Sequence, residues 1–338
     1  MSYNGARGNI KEANNMTFKL LILVPEGRND TSYIRAMPEK LRSKIPTIEV
    51  ALVDSTEEAK GLIADMDAAF GDIHPELFER AKKLKWIACP QAGPREGYYH
   101  EALVESSVVV TNTREIYNDH ISAQIMAYVL SFARGLHLYL ADQRKHRWNP
   151  GYSIIHLPGS TVLVVGVGGI GSETARLCSE FGMRVIGVDP RLDIAPEWIS
   201  ELLKPNDLHA VLPKSDFVVV TVPETPDTQG MFAENEFKLM KKKGILINIG
   251  RGRTVVLDDL VSALESGEIG GAALDVFEKE PLPANHKLWG MTNVMLTPHV
   301  AGIGPYLEDR RSELFIENCI RFSEGEELLN IVDKSNWY

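Results

Sequence analysis

Thr161–Val165 (TVLVV) runs straight into Gly166-Val167-Gly168-Gly169-Ile170-Gly171, and residues 169–181 then have helical spacing. Glycines at GxGxxG spacing between a strand and a helix leave few folds open to a chain. Gly166 permits the tight turn. Gly168 lets a ligand approach main-chain N–H groups at the positive end of the helix, and Gly171 lets helix and strand pack closely. The ligand suited to such a turn is a phosphate-bearing anion. Asp189 lies 18 residues beyond Gly171, at the end of the next apolar run, Arg184–Asp189 (RVIGVD). A carboxylate there can accept hydrogen bonds from ribose hydroxyls. Gly166, Gly168, Gly169, Ile170, Gly171 and Asp189 therefore read as a dinucleotide site. Asp189 repels a 2′-phosphate, so NAD is expected ahead of NADP; Arg191, two residues on, could attract that phosphate if Asp189 turned away.

Around this turn, strand-like and helix-like segments alternate almost from end to end. Strands are expected at residues 18–25, 48–53, 67–70, 85–90 and 108–112, with helices at 32–45, 56–66 and 74–84 between them. A long stretch, 119–140, is apolar on much of its surface and is broken only by Gly135. A second series follows, with strands at 161–165, 184–189, 217–222, 245–249, 271–276 and 293–296. Helices are expected at 169–181, 235–241, 258–266 and 307–322. Alternation of this kind predicts parallel sheets with crossover helices, so the fold class is α/β with two parallel-sheet domains. A chain of 338 residues also exceeds one ordinary core.

Charge and cysteines narrow the function. Acidic residues number 46 against 36 basic, a formal charge of -10. Such a chain is unsuited to gripping nucleic acid through its phosphates, so no nucleic-acid partner is expected. Cys89, Cys178 and Cys319 show no metal-ligand spacing, and no metal is expected; an odd, scattered set of thiols fits a reduced cytoplasm. No run is long and apolar enough to span a membrane, so no membrane partner is expected. Residues 1–16 are polar, lack a secretory apolar segment and are expected to be a disordered extension.

Several separated blocks give the chain a resemblance to one family. Beside Gly166–Gly171 stand Asp216–Asp227 (DFVVVTVPETPD), Ile247–Val256 (INIGRGRTVV), Gly271–Pro283 (GAALDVFEKEPLP) and Thr297–Gly302 (TPHVAG). Together they resemble the D-isomer-specific 2-hydroxyacid dehydrogenases over nearly the whole chain. The resemblance implies a flavodoxin-like substrate domain, residues 17–117 with 303–338, and an inserted Rossmann NAD domain, 118–302. It also implies an active-site cleft between the two. The catalytic trio it implies is Arg251, Glu280 and His299. Further cofactor contacts would come from Val222, Pro223, Thr228, Ile249, Gly250, Arg251, Asp275, His299 and Gly302, and substrate contacts from Ala92, Gly93, Arg251 and His299.

The chemistry needs these residue types. Reducing a 2-keto acid takes a hydride on one face of the carbonyl and a proton on its oxygen. A histidine is the usual acid near neutral pH. A neighbouring carboxylate orients the ring and favours its charged form. An arginine offers a planar fork to the substrate carboxylate that lysine lacks. Arg253 follows Arg251 closely; Arg251 fills the family's position, and Arg253 is expected to face away. Departures occur at Pro94, Arg95 and Glu96, where the family usually continues Gly-Val-Asp, and at Ile121–Gln124 (ISAQ) in place of VAEH. Tyr98, Tyr99 and Tyr306 are expected to be packing residues rather than pocket walls.

The expected activity is interconversion of a small 2-keto acid and its D-2-hydroxy acid with NAD, glyoxylate or hydroxypyruvate being suitable substrates. The alternatives are a non-catalytic NAD sensor of the same fold and a phosphite-type dehydrogenase. Glu280 argues against a formate-type enzyme, which pairs its histidine with glutamine. The chain ends at Tyr338, so no appended regulatory module is expected. In the family the helix corresponding to 119–140 packs at a twofold interface, and a homodimer is expected.

Overall fold

The computed structural model describes residues 17–25, 31–93 and 97–337. The extension expected at 1–16 and the departures at Pro94, Arg95 and Glu96 lie outside the described residues. The chain forms two compact units. One is made by the residues up to Arg114 and from Pro305 onward, the other by Glu115–Gly304.

The first unit is built on five parallel strands: β1 (Lys19–Leu23), β2 (Glu49–Val53), β3 (Ala68–Phe70), β4 (Trp86–Ala88) and β5 (Val109–Thr111). Their order is β2-β1-β3-β4-β5, the flavodoxin-like arrangement. The helices are α1 (Ser32–Lys44), α2 (Thr56–Leu62), α3 (Pro75–Phe78) and α4 (Glu101–Glu105). β1 is apolar without alternation because both of its faces are covered: Leu21 and Leu23 enter one core, Leu20 and Ile22 the other. α1 covers the second face with Ile34, Met37 and Leu41, spaced three and four residues apart.

The second unit has seven parallel strands: β6 (Thr161–Val165), β7 (Arg184–Val188), β8 (Glu201–Leu203), β9 (Phe217–Val220), β10 (Ile245–Asn248), β11 (Gly271–Leu274) and β12 (Val294–Leu296). Their order, β12-β11-β10-β9-β6-β7-β8, is the doubly wound Rossmann arrangement with one added strand. Its helices are α5 (Asn118–Arg134), α6 (Leu136–Arg144), α7 (Gly169–Glu180), α8 (Leu208–Val211), α9 (Glu234–Leu239) and α10 (Leu257–Ser266). The sequence argued for a partner from the apolar residues of α5. The structure assigns them elsewhere: Ile125, Met126, Tyr128, Val129 and Phe132 are buried against Val162, Val164 and Val219 of the unit's own sheet. The exposed large apolar side chains lie further on, at Leu136, Leu140, Trp148 and Ile154.

The chain then returns to the first unit as α11 (Leu307–Glu324). Phe315 and Cys319 of α11 complete the core around Leu20, Ile22 and Trp86. Beyond α11, the Lys334 ammonium donates to the carbonyls of Leu103 and Val108 at 2.9 Å each, lacing the tail to the segment before β5. Among the described residues no helix is long and apolar enough to cross a membrane.

Candidate active site

The glycine turn sits where β6 meets α7. Gly166 has φ 93°, which a side chain would resist. A Cβ on Gly171 would collide with the Gly166 carbonyl, so helix and turn touch backbone to backbone. Thr221 fastens the same carbonyl with its hydroxyl at 2.6 Å. The first turn of α7 has no side-chain cap, which leaves its N–H groups to a ligand. These are the features a dinucleotide pyrophosphate needs, and the residues present fit it.

Asp189 is buried behind this turn. Its Oδ2 accepts from the Val167 N–H at 2.9 Å, and its Oδ1 from the N–H groups of Arg191 at 2.9 Å and Leu192 at 3.3 Å. The Arg191 guanidinium lies 3.6 Å from the carboxylate. Asp189 thus braces the glycine turn as well as carrying charge beside it, and Arg191 offsets part of that charge.

The ends of β10, β11 and β12 carry the other candidates. After β10, the Arg251 carbonyl accepts from Asn248 Nδ2 at 3.0 Å and from the Thr254 hydroxyl at 2.6 Å. A Cβ on Gly252 would collide with the Phe277 carbonyl group, so the arginine turn rests on the main chain after β11. There the Phe277 N–H donates to Glu280 Oε1 at 3.0 Å. Glu280 Oε2 meets His299 Nδ1 at 2.8 Å. After β12, His299 adopts φ 54°, and its N–H donates to the Asp275 carbonyl at 2.8 Å. The Asp275 carboxylate accepts from the N–H groups of Val300 and Ala301, both at 3.0 Å, and from the Thr297 hydroxyl. The imidazole and its carboxylate keep 49% and 37% of their side-chain surface, so the pair can meet a ligand.

Residues 126–301 match the family described as D-isomer specific 2-hydroxyacid dehydrogenase, NAD binding domain. A glyoxylate reductase of Thermofilum pendens is 34% identical over 296 residues, 83% of this chain and 85% of its own. The chain belongs to this family. A D-isomer specific 2-hydroxyacid dehydrogenase from Xanthobacter autotrophicus, solved with NADPH and MES, superposes with a TM-score of 0.81. It is 28% identical over 95% of this chain and 100% of its own. An NADPH-dependent glyoxylate/hydroxypyruvate reductase from Sinorhizobium meliloti, solved with NADP and sulfate, has a TM-score of 0.78. It is 29% identical, again over 95% and 100% of the two chains.

In this dehydrogenase the two arginines of the RGR segment share Glu224 as a neighbour, and Arg251 also feels Glu280. Arg253 lies 3.7 Å from the Glu224 carboxylate. Arg251 donates to the Gly250 carbonyl at 2.7 Å, and burial lowers its pKa while the charges of Glu224, Glu280 and Tyr117 raise it. An arginine so placed stays a cation. Val222 and Ile249 are buried in the sheet core. The Thr228 hydroxyl donates to the Pro223 carbonyl at 2.7 Å and accepts from the Thr225 N–H at 2.8 Å, closing its own loop. A Cβ on Gly302 would stand 3.3 Å from the Tyr117 ring. Ala92 and Gly93 follow β4 in the first unit, where the Ala92 carbonyl accepts from Asn112 Nδ2 at 3.0 Å. Tyr98 is core packing in that unit, while Tyr306 is exposed with φ 64°. The sequence reading overlooked Asn248, Thr254 and Thr297, which hold the loops carrying the candidate residues. Asn248 had a signal, a polar residue closing the apolar strand ILIN. Among the described residues no cluster of three or more His, Cys, Asp or Glu could hold a metal.

Proposed function

We propose that this dehydrogenase reduces a small 2-keto acid to its D-2-hydroxy acid, with glyoxylate and hydroxypyruvate as suitable substrates and NAD(H) preferred to NADP(H). The observation that carries the reading is the 2.8 Å pair of His299 Nδ1 and Glu280, gathered with Arg251 at the ends of three adjacent strands. Reduced nicotinamide, when bound, supplies a hydride to the carbonyl carbon. His299 Nε2 gives the carbonyl oxygen its proton, and Glu280 on Nδ1 fixes the ring and balances the charge of the imidazolium. Arg251 holds the substrate carboxylate through its guanidinium. In the oxidative direction His299 accepts the proton instead.

The cofactor preference rests on Asp189, whose carboxylate opposes a 2′-phosphate; the proximity of Arg191 weakens that opposition without removing it. A homodimer and a cytoplasmic setting belong to the same reading, supported by the exposed apolar side chains beside α6 and by three free, buried thiols. The test is oxidation of NADH and NADPH with a panel of 2-keto acids, and with phosphite run in the reverse direction. Turnover of glyoxylate or hydroxypyruvate, faster with NADH, is expected. Tight NADH binding without any turnover would turn the reading to a sensor, and turnover confined to phosphite would turn it to the phosphite-type enzyme.

A further inference from the structure

Glu115, the residue that opens the second unit, adopts φ 76°, a left-handed conformation that non-glycine residues seldom take. Three residues on, Asn118 starts α5 and donates from Nδ2 to Glu115 Oε2 at 2.7 Å. Both side chains lie over Gly169, the first residue of α7. A Cβ at that glycine would collide with the Glu115 carboxylate and with the Asn118 carboxamide. α7 has no acidic residue in its first turn and no side-chain cap, and the Glu115 carboxylate lies beside its first residue, at the positive end of the helix. This is also the end of the helix against which a dinucleotide pyrophosphate would rest.

We propose that Glu115 is an internal anion of the cofactor site, seated over Gly169 in place of the pyrophosphate and obliged to withdraw when the cofactor binds. The side chain is exposed, so it has room to leave. The negative charges of Glu115 and pyrophosphate compete for one positive helix end, and the competition lowers dinucleotide affinity. Asn118, released from Glu115, then has an N–H donor to turn toward the phosphate. The inference rests on the glycine turn being the dinucleotide site.

The experiment is a fluorescence titration of NADH, with calorimetric titrations of ADP and adenosine, on the full chain and on Glu115→Gln and Glu115→Ala. Both substitutions should tighten NADH and ADP by about three- to tenfold, the size of a charge effect at a helix terminus. Adenosine, which has no pyrophosphate, should bind the three proteins alike. Equal or weaker NADH binding in both variants would overturn the proposal and leave the dinucleotide reading standing, and so would equal tightening of adenosine. Absence of NADH binding by all three proteins would overturn the dinucleotide reading, and the proposal with it.

Discussion

Arg251 and Arg253 stand two residues apart in one turn, and their neighbours distinguish them. Both have Glu224 as a neighbour, but the charge of Glu280, the partner of His299, acts on Arg251. Arg251→Lys keeps the charge and loses the planar fork. It should lower kcat/KM for the keto acid by roughly 10- to 100-fold, the worth of one charge-assisted hydrogen bond, and leave the Kd for NADH near its parent value. The same loss from Arg253→Lys, with Arg251→Lys unaffected, would reverse the assignment. Asp189 presents a different case, because its carboxylate holds three main-chain N–H groups. Asp189→Ala should weaken NADH more than NADPH and also lower the melting temperature, since the glycine turn loses its brace. An unchanged ratio of the two Kd values would mean that Asp189 serves the fold alone. The candidate trio and the glycine turn could be picked out of the sequence because each residue lies within a short block. The sequence did not reveal what Asp189 and Asp275 hold, because those partners, main-chain N–H groups and the Thr297 hydroxyl, lie in loops brought together only by the sheet.

At the scale of the element, strands buried on both faces were the easiest to read, since runs such as TVLVV and FVVV need no periodicity to be recognised. β8 was missed because Glu201–Leu203 is a three-residue edge strand with no fully buried side chain. The helix expected over 74–84 shrinks to α3, where Leu77 is the one buried residue and a single turn has little to hold it longer. Gly135 ends α5 in a left-handed conformation, φ 65°, and α6 resumes as far as Arg144 rather than stopping at Leu140. The end of α6 is fixed by a clasp that the periodicity gave no hint of. The buried Asp142 carboxylate accepts from Arg147 Nε at 2.7 Å, Tyr152 Oη at 2.8 Å and Asn149 Nδ2 at 3.2 Å. Arg147 foremost, then Tyr152 and Asn149, hold this carboxyl below its usual range against the opposing effect of burial. A depressed folded-state pKa gives stability that is fully present above the unfolded value, about 3.9, and is lost as pH falls through the folded value. Parent and Asp142→Asn should therefore differ in melting temperature at pH 7, the parent being higher, and the difference should shrink below about pH 4. A difference that stays constant from pH 7 to pH 3 would show that the carboxylate charge is not what secures the clasp.

For the whole molecule, the clasp matters because of what it carries. Residues 145–154 continue from α6 over the surface, and this stretch holds Trp148 at 96% exposure and Ile154 at 56%, beside Leu140 at 54% and Leu136 at 46% on α6 itself. A tryptophan so exposed is costly to leave in water, and four large apolar side chains in one short region mark a surface made to be covered. The apolar residues of α5 cannot serve that purpose, being spent on the Rossmann core. A second copy of the chain, presenting the same region about a twofold axis, is the occupant that fits the proposed homodimer. Sedimentation velocity on the parent at micromolar concentration should show a dimer. Trp148→Glu places a charge at the most exposed of these apolar side chains and should raise the dimer dissociation constant at least about tenfold, as expected for loss of a buried aromatic anchor. Asp142→Asn should weaken the dimer as well, though less, because it loosens the segment that presents Trp148 without removing the side chain. A parent that sediments as a monomer, or a Trp148→Glu protein that dimerises as tightly as the parent, would remove this surface from consideration.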